Sequence, residues 1–139
     1  MIKDTLFNLT MVNGNKFKSE RLIHKGFKKV QRIEKKKEFK RLLNNSILSC
    51  SPVFYLKKVR RKRKKTIEFP FMLSKHLRVN YSLKFIICYC KNLKGLNFNN
   101  KFCYEIVHSC KKSSSSFKKV ETINKEVFIK KKLSSYRWF

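Results

Sequence analysis

VFYLKKVRRKRKKTIEFPFML, residues 53–73, is the stretch on which the fold turns. Its second half alternates: Ile67, Phe69, Phe71 and Leu73 are interleaved with Thr66, Glu68, Pro70 and Met72. A period of two predicts a β-strand. Val53 and Tyr55 alternate more loosely with their neighbours, which predicts a partner strand. Between them, from Lys57 to Lys65, eight of nine residues are Lys or Arg. Such a run cannot be buried, because each desolvated charge is costly without a partner. The expected structure is therefore a hairpin over about residues 53–73 with a cationic tip. Pro70 belongs on an edge strand, since it has no N–H to donate to a ladder. A lone two-stranded ribbon is marginal in water, so this one must lean on helices or on a ligand.

Working outward, the period changes to that of helices. Ile23, Phe27, Val30 and Ile33 recur at spacings of four, three and three, following the turn-forming Asn13-Gly14-Asn15. They predict a helix from Lys16, with Lys16, Lys18, Arg21, Lys25, Lys28 and Lys29 over much of its remaining surface. Glu34 and Glu38 fall four apart, as partners for the surrounding lysines on one helical face. Phe39, Leu42, Leu43 and Ile47 predict a second helix, which stops before Ser51-Pro52. Ser74 is the expected cap of a third helix running to about Lys91. Leu77, Tyr81, Leu83, Phe85, Ile86 and Ile87 make that helix apolar on most faces, as expected at the centre of a core.

Asn92 to Asn100 read as a loop, and Cys103, Ile106, Val107 and Cys110 as one face of a fourth helix. Ser113 to Ser116 read as a flexible polar break. A last helix is expected from near Thr122, carrying Ile123, Val127 and Leu133 inward. The fold class is mainly α, a bundle of five to six helices with a protruding two-stranded β-hairpin, in a single domain over residues 1–139.

Composition narrows the function. The 139 residues contain 36 Lys and Arg against 8 Asp and Glu, a formal charge of +28. No internal arrangement neutralises that surplus, so the counter-charge must come from another molecule, and phosphate backbones are the commonest polyanions. Hydrophobic residues at 42% exclude a purely disordered tail. Lys, Phe, Asn and Ile are abundant and Ala is absent, the usage expected of an A/T-rich genome.

Five cysteines (Cys50, Cys88, Cys90, Cys103 and Cys110) follow no secretory signal and have no CxxC spacing. They fall at apolar positions of predicted helices and read as structural thiols, not metal ligands. The most apolar stretch, Phe85 to Cys90, is far short of the ~20 residues that span a bilayer. The carboxylates are scattered, and His24, His76 and His108 have no Ser or Cys partner in a catalytic arrangement. No enzyme activity and no cofactor are expected.

Nucleic-acid binding has the materials it requires. Lysines attract phosphates without regard to sequence, and arginines add bidentate geometry. Tyr55, Phe69, Tyr136 and Trp138 are candidates for stacking on unpaired bases. On charge alone, Lys57, Lys58, Lys62, Arg63, Lys64 and Lys65 are candidate RNA contacts.

Several fragments, in order, resemble one known family, the bacterial-type small-subunit ribosomal protein number seven. Met11-Val12-Asn13-Gly14-Asn15-Lys16 resembles its M-x-D-G-K-K turn. Ser51-Pro52, Arg60-Arg61 and Phe69-Pro70 resemble its K-P … R-R-V-G-G … V-P hairpin. Ser82-Leu83-Lys84-Phe85-Ile86 is similar to its A-L-R-W-L helix, and Lys118-Lys119-Val120-Glu121-Thr122 to the K-K-x-E-[DT] opening of its last helix. Tyr136-Arg137-Trp138 resembles its A-H-[YF]-R-W ending. The departures are the hairpin glycines, replaced by basic residues within Lys62 to Lys65, and Asn15 in place of a lysine. The chain starts about where the bacterial members' first helix does, without most of their basic N-terminal arm. The extra hairpin charge is read as compensation.

The resemblance implies a structural constituent of the small ribosomal subunit that binds the 3′ major (head) domain of small-subunit rRNA and nucleates head assembly. It further implies a hairpin lining the mRNA exit and exit-site tRNA region, with neighbouring head proteins as partners and no membrane or small-molecule substrate. Residue matching carries over Lys16, Arg60, Arg61, Lys84, Lys118, Lys119 and Arg137 as RNA contacts. Divergence, A/T-type composition and the lack of a targeting peptide together point to the mitochondrial matrix, with a plastid-like organelle second. The alternative functions are a non-ribosomal basic DNA- or RNA-binding regulator and a cationic membrane-surface protein. Against the latter, the basic residues spread over a hairpin and several helices instead of opposing one apolar face.

Overall fold

In the computed structural model, residues 2–34, 38–60 and 66–135 are described. Six α-helices and one hairpin follow one another along the chain. They are α1 (Ile2–Thr10), α2 (Lys16–Ile33), α3 (Phe39–Ser49), β1 (Phe54–Arg60), β2 (Thr66–Met72), α4 (Lys75–Asn92), α5 (Phe98–Cys110) and α6 (Ser115–Ile129). A single 3-10 turn, Lys131–Leu133, follows α6. The mainly α architecture with a two-stranded antiparallel hairpin is the one the periodicities predict.

Local chemistry explains most boundaries. Asn13 and Gly14 both have positive φ, 52° and 71°, the left-handed geometry that turns the chain from α1 into α2. Asn15 then caps α2, its side-chain oxygen accepting from the Lys18 N–H at 3.3 Å. Ser19 fastens α2 to α1: its hydroxyl donates to the Phe7 carbonyl at 2.8 Å and lies 2.6 Å from the Thr10 hydroxyl. In the hairpin, Phe54 pairs with Met72, Leu56 with Pro70, and Lys58 with Glu68. Among the described residues the sheet has two strands, both of them edge strands, which is where a proline such as Pro70 is tolerated. Leu73 N–H to Val53 carbonyl, 3.0 Å, closes the hairpin base.

The core runs through α1 to α5 and includes Leu6, Ile23, Val30, Leu42, Leu83, Ile86, Phe102 and Ile106. Its centre is α5, which packs against α2, α3, α4 and α6. This corrects the expectation for α4. That helix buries one face (Ser82, Leu83, Ile86, Ile87, Cys90), while Leu77 is 46% exposed. An apolar sequence does not by itself say which helix is surrounded; α5, which buries Phe102, Cys103, Glu105, Ile106 and Ser109, is the helix that four others contact. Gly26 on α2 allows the close approach of α5. A Cβ built there would lie 2.9 Å from Cδ1 of the buried Phe102 ring.

Five further expectations are corrected. A helix, α1, precedes the Asn-Gly turn. Ile33, at the last turn of α2, is 59% exposed and outside the buried face. Glu34 and Glu38 share no helix, since Glu34 ends α2 and Glu38 precedes α3. Cys88 is exposed, and Cys50 caps α3 instead of lying within a helix.

The fifth correction is the largest. The serine tract is not a break: α6 starts at Ser115, seven residues before Thr122. Ser114 is buried as its cap and accepts from the Phe117 N–H at 3.1 Å. Leu133 lies exposed in the 3-10 turn, and Ile123 and Val127 are half-buried.

Candidate nucleic-acid interface

The hairpin leans on α4 and α6, and the three elements enclose an open cleft of about 650 Å³. Tyr55 on β1, Tyr81 and Phe85 on α4, and Lys119 on α6 line it, together with Lys58 and Lys130. Tyr81 and Phe85 are four residues apart on α4, so both project from one side of the helix. The rings of Tyr55 and Tyr81 stack with centroids 5.2 Å apart and planes inclined by 29°. Burial, followed by the neighbouring Tyr55, pushes the Tyr81 phenol up, so it remains a neutral hydroxyl at physiological pH.

Glu68 organises the charge in this cleft. Its carboxylate bonds Lys130 at the end of α6 and lies 3.3 Å from Lys58 across the ladder. The bond from Lys130, opposed by some desolvation and aided by Lys58, holds the Glu68 carboxyl below the usual glutamate range. The acid therefore ties the hairpin to α6 while leaving Lys57 and Arg60 on β1 exposed. Glu126 is the second acid lining the cleft.

The cleft brings together two of the residues expected to contact RNA, Lys58 and Lys119. Lys118 is exposed beside Lys119 in the first turns of α6. Lys84 lies on another side of α4, with Asn8 of α1 and Asn80 along a smaller cleft of about 340 Å³. Lys16 is not brought to the hairpin: it opens α2 and pairs with Glu20 at 3.8 Å. Arg61, Lys62, Arg63, Lys64, Lys65 and Arg137, and the stacking candidates Tyr136 and Trp138, lie outside the described residues. Phe69 is corrected: at 3% exposure it is a core ring and has no face to offer a base.

Tyr81, Phe85, Lys130 and Glu68 are the residues that the motif reading missed. The four-residue spacing of the two aromatics was visible, but it reads equally well as core packing. The approach of Lys130 to Glu68 joins residues 62 positions apart, and no local pattern announces it. Chemically, the cleft offers aromatic edges and ammonium groups around a neutral phenol, which suits phosphates and unpaired bases. Among the described residues no group of three or more His, Cys, Asp or Glu could hold a metal ion, and no helix is long and apolar enough to cross a membrane.

Comparison with known proteins gives concordant results. The family model described as ribosomal protein S7p/S5e matches residues 2–127. The chain is 27% identical over 120 residues to the small ribosomal subunit protein uS7m of Schizosaccharomyces pombe, covering 86% of this chain and 46% of that protein. It is 25% identical over 131 residues to the small ribosomal subunit protein uS7 of Thermomicrobium roseum, covering 94% of this chain and 83% of that protein. The chain thus spans about half the length of the fission-yeast relative and most of the bacterial one.

Proposed function

The chain belongs to the ribosomal protein S7p/S5e family, and from that premise we propose that it is a structural constituent of a mitochondrial small ribosomal subunit. Such a protein works by binding and shaping RNA, not by catalysis. Its target in this reading is the 3′ major domain of the small-subunit rRNA, where it nucleates assembly of the head. The hairpin extends toward the mRNA exit and exit-site tRNA region, and neighbouring head proteins complete its surroundings. The mitochondrial setting is supported by the likeness to a protein named uS7m and by the A/T-type residue usage.

The observation that carries the RNA-binding part is the cationic hairpin set against Tyr55, Tyr81 and Lys119. A ribbon with Lys57, Lys58 and Arg60 along β1 is held against the body midway along its length, by a buried Phe69 opposite Lys57 and by the Glu68–Lys130 pair opposite Lys58. Beyond that anchorage the sequence is almost wholly cationic. Lys118 and Lys119 on α6 and Lys84 on α4 extend the positive surface onto the body.

A sucrose gradient of organelle lysate at high salt tests the ribosomal assignment. Persistent migration with the small subunit is expected. A free pool at the top of the gradient would overturn it in favour of a non-ribosomal regulator. Replacing Lys62 to Lys65 with Gly and Ser tests the hairpin: binding to a transcript of the 3′ major domain should weaken and its salt dependence flatten.

A further inference from the structure

A second positive surface lies on α2, on residues that neither the motif matches nor the hairpin cleft include. Lys18, Arg21, Lys25, Lys28 and Arg32 recur every three or four residues along one side of that helix. They span ~21 Å of helix axis in steps of ~5 Å. The side is concave. α2 and the first turn of α5 enclose two adjoining clefts of about 540 and 400 Å³, which share Lys25, Asn97 and Asn99 and so form one trough. None of the described residues lining it is acidic.

The opposite wall reinforces the sign of the field. Asn97 caps α5 without a side-chain hydrogen bond, so the positive end of a 13-residue helix opens onto the trough. Lys29 is held by the Asn100 side-chain oxygen, which fixes an ammonium at the same wall. Asn99 lines the same wall and its Oδ1 is buried without a hydrogen-bond partner, so a turn of this half-buried side chain would offer the unmet acceptor to a ribose hydroxyl. Exposed cations at helical spacing are usually just a solvated face. A five-cation row walled by a helix N-terminus, with an unmet acceptor between, is a shaped one.

We propose that the α2–α5 trough is a second track for an RNA sugar-phosphate backbone, so that the protein clasps two RNA segments: one at the hairpin and α4–α6 surface, the other here. The inference rests on the reading of the chain as an RNA-bound protein and deepens it. Recognition in the trough is by charge and shape and is indifferent to base sequence, because every group offered suits phosphate or ribose.

The test uses the full chain and a transcript of the 3′ major domain of small-subunit rRNA. Three variants of equal charge change are compared: Arg21→Gln/Lys25→Gln/Lys28→Gln in the trough, Lys57→Gln/Lys58→Gln/Arg60→Gln in the hairpin, and Lys40→Gln/Arg41→Gln/Lys111→Gln elsewhere. The slope of log K against log salt should fall by about 2–3 for the trough variant, from the loss of three phosphate contacts. The slope of the third variant should match that of the unmodified chain. In hydroxyl-radical footprints the trough variant should lose one protected segment that the hairpin variant keeps. An unmodified slope and footprint in the trough variant, while the hairpin variant is impaired, would overturn the second track and leave the ribosomal reading intact. Failure of the unmodified chain to bind the transcript would overturn both.

Discussion

The carboxylate of Glu105, buried in the middle of α5 at 2% exposure, accepts the backbone N–H of Ser116 at 3.0 Å. The Ser116 hydroxyl donates to the same oxygen. Ser116 lies in the first turn of α6, so a buried acid on one helix caps the start of the next. A carboxylate at a helix N-terminus faces the positive end of the dipole and takes up a donor that has no partner within the helix. This bond places Lys118 and Lys119 on a helix when the serine tract alone would read as a loop.

Removing that acid should unfasten α6. Glu105→Ala is expected to lower stability by about 2–3 kcal/mol, the cost of leaving buried donors unmet. Glu105→Gln keeps an acceptor oxygen and should cost less. Denaturant unfolding gives the magnitudes, and hydrogen exchange at the Ser116 and Phe117 amides gives the location. Equal stability of the alanine variant and the parent would refute the capping role.

Gly26 should not tolerate even a methyl group. Its Cβ would press on the Phe102 ring, an overpacking that costs about 1–3 kcal/mol. Helix propensity returns about 1 kcal/mol, because Ala is the better helix former. Gly26→Ala is therefore expected to be net destabilising, by up to about 2 kcal/mol. Gly26→Ala/Phe102→Leu should lose less than the sum of its parts, because the smaller side chain frees the space. Strict additivity in thermal unfolding would contradict the contact.

Acid should loosen the hairpin through Glu68. Its folded pKa is depressed below the unfolded one by Lys130, so the unfolded chain binds more protons in that window and stability rises with pH. The contribution is fully present above the ordinary glutamate range and is lost as pH falls through the lower folded value. Because Glu68 and Lys130 are both partly solvated, it amounts to less than about 1 kcal/mol. Glu68→Gln should flatten the acid limb of a stability-against-pH curve; an identical limb would show that the pair contributes nothing.

The thiols should separate by burial. Desolvation pushes the Cys90 thiol up to about 12, with nearby Glu105 adding to the effect, so it has almost no thiolate at pH 8. Cys50 and Cys103 are raised by burial as well. Exposed Cys88 should be alkylated first in the folded protein, and Cys90 only after denaturation. Early labelling of Cys90, read by peptide mass spectrometry, would mean that α4 is not packed on α5 as described.

Most of the secondary structure was legible because it is written in local periods. The alternation from Ile67 to Leu73, the three-and-four spacing from Ile23 to Val30, and the Asn-Gly turn each state a backbone preference within a few residues. The positive charge on β1 and α6 was legible for the same reason. The shape of the interface was not. Tyr81 and Phe85 look like core residues until Tyr55 is set against them, and Lys130 looks like any surface lysine until Glu68 reaches it.

The sequence by itself determined the class of fold, the sign of the charge and hence the need for a polyanionic partner, since periodicity and composition are sums over neighbouring residues. Only the tertiary structure decided that α5 and not α4 is surrounded, that Ser114, Ser115 and Ser116 open a helix, and that the cations of α2 face the N-terminus of α5. These depend on which distant segments meet. A polar side chain is a loop former or a buried cap according to whether a partner such as Glu105 stands within hydrogen-bond reach, and that distance exists only once the chain has packed.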